Sequence, residues 1–258
     1  MSYQGADGAV DDHLTRAPGG AAEDPHLLQP SARTAFVAPR ADDKPRISLI
    51  GPRALLLDAP GEFDLEQQSR IWALADEVER WPDVEEAIIG VTNLLLVFRT
   101  PPRDLERVVT EYAAAWRRAP RKAISGRVHE VPVIYGGELG EDLALVCAFS
   151  GLSVNEVIAI HSAGIYTVCA IGSSPGFGYL HGLDQRIFMP RKTVPSLRML
   201  KGTVTIGGMQ AGISVSTGPN GWNAIGWTGL EMFNLSQNPP CLFAPGDQIQ
   251  FRIERIEP

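Results

Sequence analysis

Residues 160–184 read IHSAGIYTVCAIGSSPGFGYLHGLD, and the rest of the chain is arranged around this stretch. It passes from a helix end through an apolar strand into a loop carrying Pro175-Gly176-Phe177 and Tyr179. Glycines let backbone N–H groups approach a ligand without Cβ interference, and aromatic walls with a few polar groups are what a small-molecule pocket needs. Just upstream, Ser153-Val154-Asn155-Glu156 is a capping box that starts a helix with Val154, Val157, Ile158 and His161 on one face. A histidine on an apolar helix face is either a packing residue or a proton-transfer group, and position alone favours packing. The glycine loop that follows raises the second reading for His161.

Downstream the pattern is β throughout. Expected strands are Ile165–Ile171, Thr203–Ile206, Ile213–Ser216, Ala224–Trp227 and Gln248–Ile253, with turns at Gly207-Gly208, Gly218-Pro219-Asn220-Gly221 and Pro245-Gly246-Asp247. Many short strands with few helices predict a closed or nearly closed barrel. Val131–Tyr135 opens this half as a strand, and Glu141–Phe149 reads as a short helix ending at Gly151. Arg191, Arg198, Gln210, Asn220 and Asn223 are the polar candidates for a pocket, with Tyr179 and Trp222 as its aromatic walls. An arginine fork suits a planar carboxylate or carboxamide.

The first half is of another kind. Short strands at Ile47–Ile50 and Ala54–Leu57 precede a helix over Leu65–Trp81, with Ile71, Leu74, Ala75, Val78 and Trp81 on one face. Strands at Ala87–Gly90 and Leu94–Phe98 precede a second helix, Asp104–Arg118, stopped by Pro120. This order predicts a small α+β domain over residues 46–122, a sheet covered on one face. A barrel domain then occupies 128–258. Residues 1–45 carry Ala, Gly, Asp and Pro without apolar period and read as a disordered tail. Arg117–Lys122 reads as a solvated, cationic helix end.

A net charge of −7 argues against a nucleic-acid surface. No apolar run reaches the roughly 18–20 residues of a membrane span, and no secretory pattern opens the chain, so a cytoplasmic protein is expected. Cys147, Cys169 and Cys241 form no CxxC pair, which leaves neither a zinc site nor a disulfide framework. There is no GxSxG elbow, Walker loop or HExxH.

The second half resembles the 5-oxoprolinase B-subunit family, also called allophanate hydrolase subunit 1 and the sporulation kinase inhibitor type. Val131–Leu143, His161-Ser162, Pro175-Gly176-Phe177, Tyr179-Leu180 and Gly182-Leu183-Asp184 carry the likeness. Pro190-Arg191, Gly202, Ile206-Gly207, Gln210, Gly212-Ile213, Gly221-Trp222, Ile225-Gly226 and Pro245-Gly246-Asp247 continue it in order. The resemblance implies an α+β N-terminal domain followed by a mainly-β, cyclophilin-like barrel. It implies a heteromeric enzyme in which this chain works with a homologous allophanate hydrolase subunit 2-type protein on a C–N bond of a small lactam, amide or urea-like substrate. No intrinsic cofactor is implied, and ATP would be used by the complex. Site residues carried over by motif are His161, Gln210 and Arg198 as the catalytic set, for proton transfer, carbonyl polarisation and orientation. Pro175, Gly176, Phe177, Tyr179, Arg191 and Trp222 are expected to bind substrate. The chain departs from the family pattern at Ser173-Ser174, His181, Ser196, Val215, Asn220, Trp227 and Thr92-Asn93. Two alternatives stand beside the enzyme-subunit reading: a repurposed member acting on a more apolar substrate in a specialised biosynthetic pathway, and a non-catalytic regulator of the kinase-inhibitor kind.

Overall fold

The structure, a computed structural model, describes residues 44–121 and 124–258. The tail expected over the first 45 residues lies, up to residue 43, outside the described residues, as does Lys122 of the cationic helix end.

Four strands open the fold: β1 (Arg46–Leu49), β2 (Ala54–Asp58), β3 (Val84–Ile89) and β4 (Asn93–Phe98), hydrogen-bonded antiparallel in the order β1-β2-β4-β3. Strands β2 and β4 alternate buried and half-buried residues, so Leu55, Leu57, Leu94 and Leu96 face one side. Helices α1 (Leu65–Val78) and α2 (Leu105–Arg118) share a core with that face through Ile71, Leu74, Val78, Tyr112 and Trp116. Both helices start at an aspartate whose side chain accepts a backbone N–H: Asp64 from Gln67 at 2.7 Å and Asp104 from Arg107 at 3.0 Å. The expected cationic helix end is tied back to α1, with Arg118 2.6 Å from Glu77 and Arg121 2.6 Å from Glu66.

The remaining elements are β5 (Val128–Gly136), α3 (Leu143–Ser150), α4 (Val154–Ala163), β6 (Tyr166–Ile171), β7 (Gly178–His181), β8 (Ser196–Met199), β9 (Thr203–Gly207), β10 (Gln210–Ile213), β11 (Gly218–Asn220), β12 (Asn223–Trp227) and β13 (Gln248–Glu257). Seven of these strands close a barrel in the order β10-β7-β6-β13-β5-β12-β9, sealed by the β9–β10 hairpin. The one parallel pairing in it joins β5 and β13. Strands β8 and β11 pair only with each other, as a separate ribbon. The barrel core contains Val131, Val133, Val168, Ile206, Ile225 and Phe251, and α3 and α4 add Leu143, Val146, Val157 and Ile158 to it. The capping box of α4 is present as read: the Ser153 hydroxyl and the Glu156 carboxylate satisfy each other's backbone N–H groups.

Four strands of this half differ from expectation, among them β8, which pairs only with the short β11. Strand β10 begins at Gln210 because Gly208, at φ 65°, turns the chain directly back along β9. Strands β7 and β11 lie in stretches dense in Gly, Pro and Asn, where local composition reads as turn and only cross-strand pairing reveals a strand.

The first layer is fastened to the barrel at a bulge. Register along β6 and β7 shifts between Val168 and Ala170, so Cys169 is the extra residue. Its carbonyl is turned out of the ladder and accepts Gln68 Nε2 at 3.0 Å and Trp72 Nε1 at 2.8 Å, both from α1. Gln68 is fully used: its Oε1 accepts the Thr92 N–H at 2.8 Å, and Nε2 also reaches the Gly90 carbonyl at 3.1 Å. It therefore also holds Thr92, whose φ of 63° is unusual for a β-branched residue.

Candidate ligand-binding groove

Between the loop after β6 and the segment from Ser214 to Trp222 lies a groove of about 520 Å³. The turn on its rim is set by sequence. Ser174 O accepts the Phe177 N–H at 3.0 Å, with Pro175 and Gly176 as the two central residues and Gly176 at φ 83°. That is a type II turn, which wants Pro first and Gly second. A Cβ at Gly176 would also stand 2.7 Å from the Met232 carbonyl oxygen.

The turn delivers Phe177 to the groove wall, where its ring meets Tyr179 edge-on at 5.0 Å and Trp222 edge-on at 5.8 Å. Trp222 lies against the backbone of β9, and a Cβ at Gly207 would sit 2.5 Å from the indole. Only glycine allows that approach. Asn220 Oδ1 accepts the Trp222 N–H at 2.9 Å and fixes the entry into β12. The Arg191 guanidinium stands over the indole, 5.3 Å from its centroid. Opposite run Ser214, Ser216 and Thr217, with Ser173 and Ser174 on the loop side. Among the described residues Arg191 is the one charged side chain that lines the groove, and no carboxylate is among the lining residues. The arrangement suits a small, flat, polar molecule bearing a negative group: an aromatic floor, one cation and a ring of hydroxyls.

Phe177, Tyr179, Arg191 and Trp222 are thus brought together as the sequence suggests. Pro175 and Gly176 shape the turn and do not line the groove. The Phe177 N–H is spent inside that turn, so the expected loop donors are partly used.

The catalytic set of His161, Gln210 and Arg198 does not assemble. His161 is wholly buried in the barrel core, stacked 4.5 Å from Phe251, with Nδ1 2.7 Å from Tyr135 Oη. Its Nε2 has no hydrogen-bond partner among the described residues, and burial pushes its pKa down to about 3. The apolar helix face that carries it turns inward, so the ring shares no cavity with Phe177 and cannot shuttle protons for a ligand there. Gln210 opens β10 opposite His181 and Gly207 and is not part of the groove lining. Arg198 lies on β8 and lines a different cavity of about 250 Å³, with Glu138, Glu141 and Met199. Asn223, also a pocket candidate, is buried and donates to the Pro190 and Ile206 carbonyls at 2.8 and 3.1 Å. The hydroxyl wall at Ser214, Ser216 and Thr217 was missed, although three hydroxyls within four residues after a strand were a usable signal.

Among the described residues no group of His, Cys, Asp and Glu side chains is placed to hold a metal ion, and no single helix is long and apolar enough to cross a membrane.

The family model for the carboxyltransferase domain, subdomain C and D, matches residues 45–243. The chain is 37% identical over 206 residues to the B subunit of 5-oxoprolinase from Escherichia coli O157:H7, covering 80% of this chain and 94% of that protein. It is 40% identical over 225 residues to the B subunit of 5-oxoprolinase from Bacillus subtilis (strain 168), covering 80% and 91%. The chain belongs to the 5-oxoprolinase B-subunit family. Among solved structures, the crystal structure of TTHA0988 superposes with a TM-score of 0.68 at 30% identity, covering 80% of this chain and 41% of that one. The K. lactis urea amidolyase shares the fold, with a TM-score of 0.70 at 19% identity over 84% of this chain and 15% of that one.

Proposed function

We propose that this chain is one component of an enzyme that processes a C–N bond of a small lactam or urea-like substrate, and that the Trp222 groove is where the substrate sits. The observation that carries this reading is the single cation, Arg191, held over an aromatic floor in a hydroxyl-lined cavity, on a barrel of the 5-oxoprolinase family. A lactam ring lies against Tyr179 beside the Trp222 edge, the hydroxyls of Ser173, Ser174 and Ser216 meet its amide, and Arg191 meets its carboxylate. The chain's own part is binding and orientation. A general base near neutral pH is not supplied by His161, so proton transfer and ATP use belong to a second, subunit 2-type chain.

The test is reconstitution of the full chain with such a partner, 5-oxoproline and ATP. Glutamate formation that needs both chains, and a KM raised by Arg191→Gln with kcat little changed, is the expected result. No ATP-dependent glutamate from the wild-type complex, or an Arg191→Gln complex with unaltered KM, would count decisively against it.

A further inference from the structure

The segment from Met189 to Ser196 forms a strap that meets the groove at Arg191 and is pinned through its backbone at Met189, Pro190 and Lys192. The Gly208 N–H donates to the Met189 carbonyl at 2.8 Å, Asn223 Nδ2 donates to the Pro190 carbonyl at 2.8 Å, and the Lys192 N–H donates to the Gly221 carbonyl at 2.7 Å. Arg191 is the gap in this series, an exposed residue whose side chain leaves toward Trp222.

Lys192 leaves in another direction. Its side chain is only 14% exposed, with Nζ 2.6 Å from Asp142 Oδ2 and 2.7 Å from Ser196 Oγ. Asp142, at the start of α3, is itself fixed: Oδ2 accepts the Ala224 N–H at 2.7 Å, and its own N–H donates to the Ala224 carbonyl at 2.9 Å. The ammonium thus fastens the strap to β12 two residues past the indole. A second contact, to Glu141 at 3.3 Å, is more than half exposed on the carboxylate side and adds little. The Asp142 contact is different, because removing one partner of a largely buried pair leaves the other charge uncompensated.

We propose that Lys192 is a positioning residue: by anchoring the strap at Asp142 it holds Arg191 over Trp222, and so gives the groove its preference for a planar amide that carries a carboxylate over the neutral counterpart. The inference rests on the groove being the ligand site. Among the described residues no carboxylate lines the groove beside Arg191, so the strap's path and the indole fix its place. Without the ammonium the strap keeps its backbone bonds at Met189, Pro190 and Lys192 but loses its side-chain anchor, which widens the spread of the guanidinium and weakens the pre-organisation on which a charge-assisted contact depends.

The test is calorimetric titration of the full chain with 5-oxoproline and with 2-pyrrolidinone, the same ring without the carboxylate. Wild type is expected to favour 5-oxoproline. Arg191→Gln and Lys192→Met should each weaken 5-oxoproline by about tenfold and leave 2-pyrrolidinone within about twofold. The double variant should lose no more than either single one, because the two act through one contact. Lys192→Arg should recover much of the loss. If Lys192→Met fails to fold, Asp142→Asn, which keeps an oxygen for the Ala224 N–H, is expected to show the same loss of selectivity. Unchanged 5-oxoproline binding in the lysine and aspartate variants, or equal weakening of both ligands, overturns the positioning role while leaving the groove as the ligand site. Wild type that binds neither ligand overturns the groove reading itself, and this inference with it.

Discussion

Replacing His161 with phenylalanine should flatten the acid side of the stability profile. The ring is fully buried against Tyr135, Tyr166 and Phe251, its Nε2 has no acceptor, and burial lowers its pKa from 6.5 to about 3. Below pH 6.5 the unfolded chain therefore binds a proton that the folded chain refuses. Stability attributable to this group is intact above about pH 6.5 and is lost as pH falls toward 3, at up to ~1.4 kcal/mol per pH unit. Between about pH 7.5 and about pH 5 the loss comes to about 2 kcal/mol, an order-of-magnitude value. His161→Phe removes the titration and keeps a ring to stack on Phe251, while leaving the Tyr135 hydroxyl short of a partner at every pH, which costs ~1–2 kcal/mol. Urea unfolding followed by tryptophan fluorescence at the two pH values measures both terms. The wild type should lose about 2 kcal/mol more than the variant on acidification. Equal losses in the two proteins would refute the reasoning, since they would mean that the imidazole is charged, or solvated, inside the fold.

Gly207→Ala should displace the Trp222 indole, because the new Cβ would stand 2.5 Å from it; we expect ~1–3 kcal/mol lower stability and loss of lactam binding, read by denaturation and calorimetry. Gly176→Ala meets both a positive φ and the Met232 carbonyl at 2.7 Å, so it should lower the thermal midpoint by several degrees, seen by calorimetric scanning. Gln68→Leu leaves the Thr92 N–H without its acceptor and the Gly90 carbonyl without its side-chain donor; a loss of ~1–3 kcal/mol is expected, with faster amide exchange at Thr92 as the local signature.

Much of the architecture was legible because its signals are local. The faces of α1 and α2, the Ser153 capping box and the Pro175-Gly176 turn are each written within a few residues of one another. The misreadings share a different physics. A 3.6-residue pattern says that His161 lies with Val157 and Ile158, but an inward face and a cleft-lining face have the same period. Arg191 and Arg198 look equivalent in sequence, yet the strap brings Arg191 to the groove while β8 brings Arg198 to a different cavity. The stacking of Arg191 on Trp222 and the reach of Lys192 to Asp142 join residues far apart in the chain, so no window of sequence contains them.

The outward-facing carbonyl of Cys169 has a bearing on how the polypeptide could be divided. Cleaving it in the connection between residues 121 and 127 and separating the fragments would strip that oxygen of both its α1 donors and expose Trp72, on which Gly246 also rests. One fragment would carry a bare bulge acceptor, the other an uncovered indole and a carboxamide that has lost one of its three bonds. The two halves of this chain are therefore suited to being made as one piece, however separable their hydrophobic interiors look.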